Sequence, residues 1–237
     1  MRPEAPSPRG GSGAMFDAIA RRYDGLNRVM SLGLDPSWRA RAVRALGLRE
    51  GARVLDVATG TADVALTILE QRGGARVTGL DPSREMLDVG REKLARAGHP
   101  EVELVVGDAE ALPFEDGAFD AVTMAFGIRN VPDRDRALGE ILRVLRPGGR
   151  VAILELGEPR AGLLAPLSRL YIHELVPRVG GLVAGRAEYA YLARSIAAFP
   201  APERFARQLV EAGLVDAQVT PLTFGVVNLY TAARARA

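Results

Sequence analysis

Three aspartates stand at the ends of three apolar runs, and the repetition points to ligand binding. Asp56 lies in the run at 53–58, which stops at the small-residue turn Thr59-Gly60-Thr61; Asp81 ends the run at 75–81 and Asp108 the run at 102–108. Acids at successive strand tips suit a ligand recognised through hydroxyls and amines, which is what a nucleoside offers. Asp81 follows Gly60 by about 20 residues, the separation at which a second-strand carboxylate reaches a ribose bound over the first turn. Gly60 has no Cβ, so the backbone there can approach a ligand closely. The expected roles put Asp56 or its adjoining loop near a ligand ammonium, Asp81 on the ribose hydroxyls and Asp108 on the adenine amino group. The Ala109 N–H would face the ring and Met86 would cover the base. For each acid the alternative is a helix cap or a loop turn.

Such residues need a frame that gathers strand ends along one edge. Apolar runs at 53–58, 75–81, 102–108, 119–125 and 150–156 alternate with segments of helical spacing, such as Val64, Ala65, Ile68 and Leu69. That order predicts an α/β fold, a doubly wound and mostly parallel sheet whose carboxyl edge is the ligand edge. Runs at 217–220 and 224–232, joined by a short Pro221 turn, complete seven strands with an antiparallel last strand. Helices over 14–47 form a helical N-terminus, with Asp35 or Ser37 capping the second and Pro36 in its first turn. A helical cap insertion at about 157–202 breaks the rhythm and carries an apolar stripe from Leu163 to Leu175. Residues 1–13, rich in Pro, Gly and Ser, read as a disordered tail, and 14–237 as one domain.

With 31 basic and 29 acidic residues among 237, the chain has no strong field for nucleic acid, and none is expected as a partner. Basic residues are interspersed with acids, apart from Arg39, Arg41 and Arg44 and the tail pair Arg234 and Arg236, which read as solvated faces. The absence of cysteine excludes disulfides, thiolate zinc sites and a cysteine nucleophile. Two histidines argue against a histidine-rich metal centre, and no metal is expected. No stretch reaches the roughly 18 apolar residues of a membrane span. The expected location is cytoplasmic, or peripheral at the inner membrane surface; the oligomeric state is unknown from sequence.

The first turn lacks the G-x-G-x-x-G spelling, because Ala58 and Ala62 occupy positions where glycines are expected. A dinucleotide pyrophosphate needs converging backbone amides and a helix start. S-adenosyl-L-methionine has no phosphate, so the turn need only hold its amino-acid and ribose portions. That cofactor is therefore favoured over a nicotinamide dinucleotide.

Further motifs are Tyr23-Asp24-Gly25-Leu26-Asn27 with Ser31 and Trp38, Asp108-Ala109-Glu110-Ala111-Leu112-Pro113-Phe114, and Phe126-Gly127-Ile128-Arg129-Asn130-Val131. With Arg143-Val144-Leu145-Arg146-Pro147-Gly148-Gly149, Glu155 and Tyr189-Ala190-Tyr191-Leu192, the chain from Phe16 onward resembles the quinone C-methyltransferases. The resemblance implies a class I S-adenosylmethionine-dependent methyltransferase that methylates a ring carbon of a polyprenyl quinol, with demethylmenaquinol to menaquinol favoured. A benzoquinol or another small molecule is the alternative acceptor, and a non-catalytic cofactor-binding subunit a weaker alternative. The resemblance places cofactor contacts on Thr61, Asp81 and the Asp108-Ala109 pair. The chain departs from the family pattern at Leu26, Asp35, Ala62, Ala125 and Gly157.

The implied chemistry is mainly positioning, with help in loosening a quinol proton and no need for a metal. Arg129 and Asn130, just past the fourth strand, are the leading catalytic candidates, joined by Tyr23 and, behind it, Asp24 and His173. Arg129 would stabilise phenolate charge or order a water, since arginine stays protonated. Its alternative is an exposed turn charge paired with Asp133 or Asp135. The Leu163–Leu175 stripe and the Tyr189-Tyr191 pair are expected to line the prenyl tail's path or to be plain core.

Overall fold

Val54, Leu55 and Val57 are fully buried, and this run forms the interior strand β1 (Arg53–Val57). The computed structural model describes residues 13–157 and 186–236. Before β1 come α1 (Gly13–Met30) and α2 (Asp35–Leu46); after it come α3 (Asp63–Gln71), β2 (Arg76–Asp81), α4 (Arg84–Arg96) and β3 (Glu103–Val106). The chain continues through β4 (Phe119–Ala125), a 3₁₀ turn at Ile128–Asn130, α5 (Arg134–Val144) and β5 (Leu145–Leu156). Helices α6 (Arg186–Ala198) and α7 (Pro202–Glu211) then precede β6 (Val215–Leu222) and β7 (Val227–Ala233).

The seven strands lie in the order β3-β2-β1-β4-β5-β7-β6. β1 pairs parallel with both β2 and β4, and β7 runs antiparallel between β5 and β6. Alternate side chains of β1 leave the sheet on opposite faces, as the strand's period of two requires. Val54 joins a core built with Trp38 and Val43 of α2, Ile68 of α3 and Leu87 of α4. Leu55 and Val57 join a second core with Leu138 and Ile141 of α5 and Phe205 and Leu209 of α7. Apolar layers on both faces explain why these strands read as continuous apolar runs.

Several local expectations are corrected. Gly13, assigned by composition to the tail, opens α1. Neither Asp35 nor Ser37 caps α2: Leu34 holds the N-cap position without a side-chain hydrogen bond, and Asp35 is already helical. The Asp35 carboxylate instead accepts from Ser31 and Arg39, each at 2.8 Å, and the Ser37 hydroxyl donates to the Leu34 carbonyl. β5 begins at Leu145, so Arg146 to Gly149 form an irregular opening of the strand, marked by a register shift opposite β4. Pro221 lies inside β6, and Thr223–Gly225 make the reversal. β6 is an edge strand, where a missing N–H is tolerated.

Of the expected cap, α6 is described; the Leu163–Leu175 stripe and His173 lie outside the described residues, as does the expected tail at 1–12. No helix among the described residues is long and apolar enough to cross a membrane.

Candidate functional site

The turn after β1 alternates its backbone hand. Ala58, Gly60 and Ala62 have φ of 53°, 54° and 66°, all in the left-handed region. For the two alanines this conformation costs about 1 kcal/mol each, so the positions that lack glycine still adopt the glycine shape. Residue spelling hid this geometry from the sequence. A Cβ built on Gly60 meets nothing within 4 Å, so the space above this residue is open. At Gly127 a Cβ would lie 2.5 Å from the Cβ of Ala58, and its absence lets the exit of β4 pack against the turn.

Asp56 and Asp81 stand beneath that opening. Asp56 is fully buried; one carboxylate oxygen accepts from the Thr59 hydroxyl at 2.6 Å and the other has no partner among the described residues. Burial pushes its pKa up to about 7 against the pull of the Thr59 hydrogen bond, and the charge of Asp81 adds to the rise. Asp81 accepts from the Gly60 N–H and the Ser83 N–H, both at 2.9 Å, and so ties the β1 turn to the start of α4. Burial raises it to about 6, partly offset by those two amides. Each of its oxygens keeps a second lone pair for a hydroxyl donor.

Asp108 sits differently from the other two acids. It is exposed, two residues beyond β3, and accepts from the Glu110 N–H at 2.9 Å. That is the loop-turn geometry, and it leaves the acid at the rim while Ala109 behind it is buried. Met86 is buried in the first turn of α4, where its N–H donates to the Ser83 cap.

Thr61 points inward. Its hydroxyl donates to Asp24 of α1 at 2.6 Å and accepts from Lys93 of α4 at 3.2 Å. Lys93 also bonds Asp24 at 2.7 Å and Asp63, whose second oxygen pairs with Arg39 at 2.9 Å. A second tie runs from the Ser83 hydroxyl to Asp17. Together these bonds lay α1 against the β1 turn and α4. Lys93 is the only lysine among 31 basic residues, a signal that sequence reading missed.

Beyond β4 the Arg129 side chain is 6% exposed and pairs at 2.7 Å with Glu155, which is 0% exposed. Its guanidinium also donates to the Phe126 carbonyl, and its backbone N–H donates to the other Glu155 oxygen at 3.1 Å. The expectation of an exposed turn charge is overturned, because Asp133 caps α5 and Asp135 accepts from Gln208. Glu155 was legible as the one acid in the apolar run of β5, but its role was missed. The Arg129 Nε is buried without a partner among the described residues. The side chain of Asn130, next along, accepts from the Tyr191 hydroxyl of α6 at 3.0 Å.

Tyr23 of α1 completes the cluster. Burial pushes its phenol up, while a hydrogen bond with Asn27 and the charges of Arg129 and Arg39 pull it down. Gly157, a departure from the family pattern, is accounted for by Asn228: a Cβ there would lie 2.5 Å from the Asn228 amide nitrogen.

The open space over Gly60, the unpartnered Asp56 oxygen and the spare lone pairs of Asp81 fit a ligand bearing a cation and vicinal hydroxyls. They fit S-adenosyl-L-methionine better than a pyrophosphate, for which two carboxylates would be repulsive.

The sequence profile of the ubiE/COQ5 methyltransferase family matches residues 9–234. The chain is 46% identical over 221 residues to a demethylmenaquinone methyltransferase of Thermus thermophilus, covering 93% of this chain and 100% of that one. It is 43% identical over 219 residues to a ubiquinone/menaquinone biosynthesis C-methyltransferase UbiE of Geotalea daltonii, covering 92% and 93% of the two chains. Among solved structures, a SAM dependent methyltransferase from Aquifex aeolicus shares the fold at a TM-score of 0.65 and 20% identity, over 92% of this chain and 97% of that one.

Proposed function

The chain belongs to the ubiE/COQ5 methyltransferase family, and from that premise we propose that it methylates a ring carbon of a polyprenyl quinol, with demethylmenaquinol as the acceptor. Bound S-adenosyl-L-methionine supplies a sulfonium methyl, an electrophile that needs no metal. The observation that supports this reading is that the open turn at the tip of β1, tied to Asp81, adjoins a buried arginine at the tip of β4, on neighbouring parallel strands.

In this reading Asp56 faces the amino-acid ammonium, Asp81 accepts the ribose hydroxyls, and Gly60 leaves room for the sugar. Thr61 contributes by fixing the turn to α1, since its hydroxyl is already engaged. Asp108 and Ala109 close the adenine end from the rim, and Met86 backs it. Arg129 stabilises the phenolate that makes the ortho carbon nucleophilic, and Glu155 holds the guanidinium in place. Asn130, oriented by Tyr191, offers its NH₂ to a quinol oxygen. Tyr23, whose phenol is held protonated, donates a hydrogen bond from the α1 side.

Support for the naphthoquinol ring comes from the demethylmenaquinone methyltransferase name of the Thermus relative. An acceptor of this kind resides in the membrane, so the cleft rim must meet the lipid surface. The test is a methyl-transfer assay with reduced demethylmenaquinone beside a benzoquinol lacking its ring methyl. Formation of S-adenosylhomocysteine with the naphthoquinol supports the assignment, and turnover of the benzoquinol alone reassigns the ring. Donor binding without turnover of either would leave a cofactor-binding protein and overturn the reading.

A further inference from the structure

In sequence the arginines alternate with acids, but folding gathers six of them at the other end of the sheet. Arg53 opens β1, Arg76 opens β2, and Arg146 lies in the irregular start of β5 with Arg150 just after it. With Arg49 from the α2–β1 loop and Arg236 after β7, they line a groove of about 710 Å³. This groove lies at the amino ends of the parallel strands, a strand length or roughly 20 Å from the cofactor turn.

Among the described residues only two carboxylates share the groove, Glu50 and Asp120. Asp120 is already engaged by the Arg146 guanidinium at 2.5 Å and the Arg53 N–H at 2.7 Å. Arg49, Arg53, Arg76, Arg150 and Arg236 are exposed and make no ion pair among the described residues. The imbalance is large for a chain whose totals are 31 basic and 29 acidic residues. The segments outside the described residues do not restore it: 1–12 contains two arginines and one glutamate, and 158–185 three arginines and two glutamates.

The groove is shaped as well as charged. Gly47 turns with φ +59°, and a Cβ there would sit 3.0 Å from the Arg150 guanidinium. The C-terminal segment is pinned by Arg234, which donates to the Leu145 carbonyl at 2.6 Å, and Gly148 donates to the Arg234 carbonyl. That anchoring delivers Arg236 across Gly148 into the groove.

We propose that this groove is a binding site for a soluble oligophosphate, a small molecule carrying two or more linked phosphates. Guanidinium forks match phosphate oxygens bidentately, and several forks with no carboxylate partner among the described residues, set around one concavity, suit clustered phosphate charge. The volume lies in the small-ligand range of roughly 300–1,000 Å³. A lipid headgroup layer is the less favoured source. The groove opens on the sheet edge opposite the cleft, and the prenyl chain of the acceptor has to reach the cleft side.

The test is calorimetry of the full chain with inorganic tripolyphosphate at about 150 mM salt, where exposed charge alone is heavily screened. Saturable one-to-one binding is expected, and it should weaken at least about tenfold in R76Q/R150Q/R236Q. Arg207→Gln, an exposed change on α7 outside the groove, should leave it intact. Unchanged affinity for S-adenosyl-L-methionine in the triple variant would show that the fold is kept; should that variant not fold, Arg76→Gln alone carries the comparison. Absence of saturable binding, or equal binding by wild type and variant, overturns the proposal. So does retention on phosphatidylglycerol vesicles through these arginines without tripolyphosphate binding, or clearly tighter binding of an oligonucleotide. None of these readouts depends on methyl transfer, so the quinol assignment can fail without affecting the outcome.

Discussion

The Lys93 ammonium lies 2.7 Å from the Asp24 carboxylate, and this pair fastens α4 to α1 directly over the turn that follows β1. The same ammonium meets Thr61 and Asp63, so three oxygens from three elements converge on one point charge. A guanidinium is a planar fork and does not reproduce that convergence. Lys93→Arg and Lys93→Met are therefore both expected to weaken donor binding about tenfold, measured by calorimetry. Thermal stability should fall more in Lys93→Met than in Lys93→Arg, because Lys93 is only 17% exposed and its loss leaves Asp24 and Asp63 without their shared cation. Undiminished donor affinity in both variants would remove α1 from the binding apparatus.

Asp56 and Asp81 are expected to make ligand-free stability and donor affinity respond oppositely to pH. Burial raises them to about 7 and about 6 from the ordinary 3.8. Between about pH 4 and pH 7 the native chain binds more protons than the unfolded one, so these groups make ligand-free stability fall as pH rises through that window. A cationic donor needs the carboxylates ionised, so its affinity should instead fall as the solution is acidified from about pH 8 to about pH 5. Asp56→Asn should flatten much of both trends, raising the ligand-free melting temperature near pH 8 while weakening donor binding. Melting curves and calorimetry across that range read the two directions separately.

Arg129 and Glu155 are a buried pair, and breaking it from either side leaves a charge stranded. Glu155→Gln is expected to cost about 3–5 kcal/mol of stability, read by denaturant unfolding. Arg129→Lys keeps the charge but loses the fork, and kcat should fall about a hundredfold with donor affinity near wild type. The double variant R129Q/E155Q should recover much of the lost stability and none of the activity. Recovery of both together would make the pair purely structural.

Tyr191 reaches Asn130 from α6 with a single hydrogen bond of 3.0 Å. Tyr191→Phe leaves the Asn130 amide free to rotate, so kcat/KM for the quinol should drop about tenfold, the order expected for one lost hydrogen bond. Donor affinity should stay the same. A loss confined to donor binding would place Asn130 on the cofactor side of the cleft.

The alternation of strand and helix was legible in the sequence because both faces of the sheet are covered, which makes each strand an unbroken apolar run. Asp56 and Asp81 were legible as candidates because they interrupt such runs at the carboxyl edge of the sheet. Asp108 matched the same pattern but lies beyond a strand of four residues, and a short strand leaves the position of its tip undetermined by periodicity. The turn at Ala58 to Ala62 was harder to read, since packing imposed left-handed backbone on residues that do not favour it. The Arg129–Glu155 pair joins residues 26 apart in sequence, and the Lys93 network joins four helices with the β1 turn. Neither arrangement has a local signature. The arginine groove was read as dispersed charge for the same reason.

Pro221 bears on how the molecule behaves in a crowd. It lies in β6, the outermost strand on one flank of the sheet, whose pairing with β7 also slips between Val215 and Gln218. A residue without an N–H beside an irregular ladder offers a poor template for a foreign strand. That flank therefore resists the edge-to-edge stacking through which open sheets form aggregates.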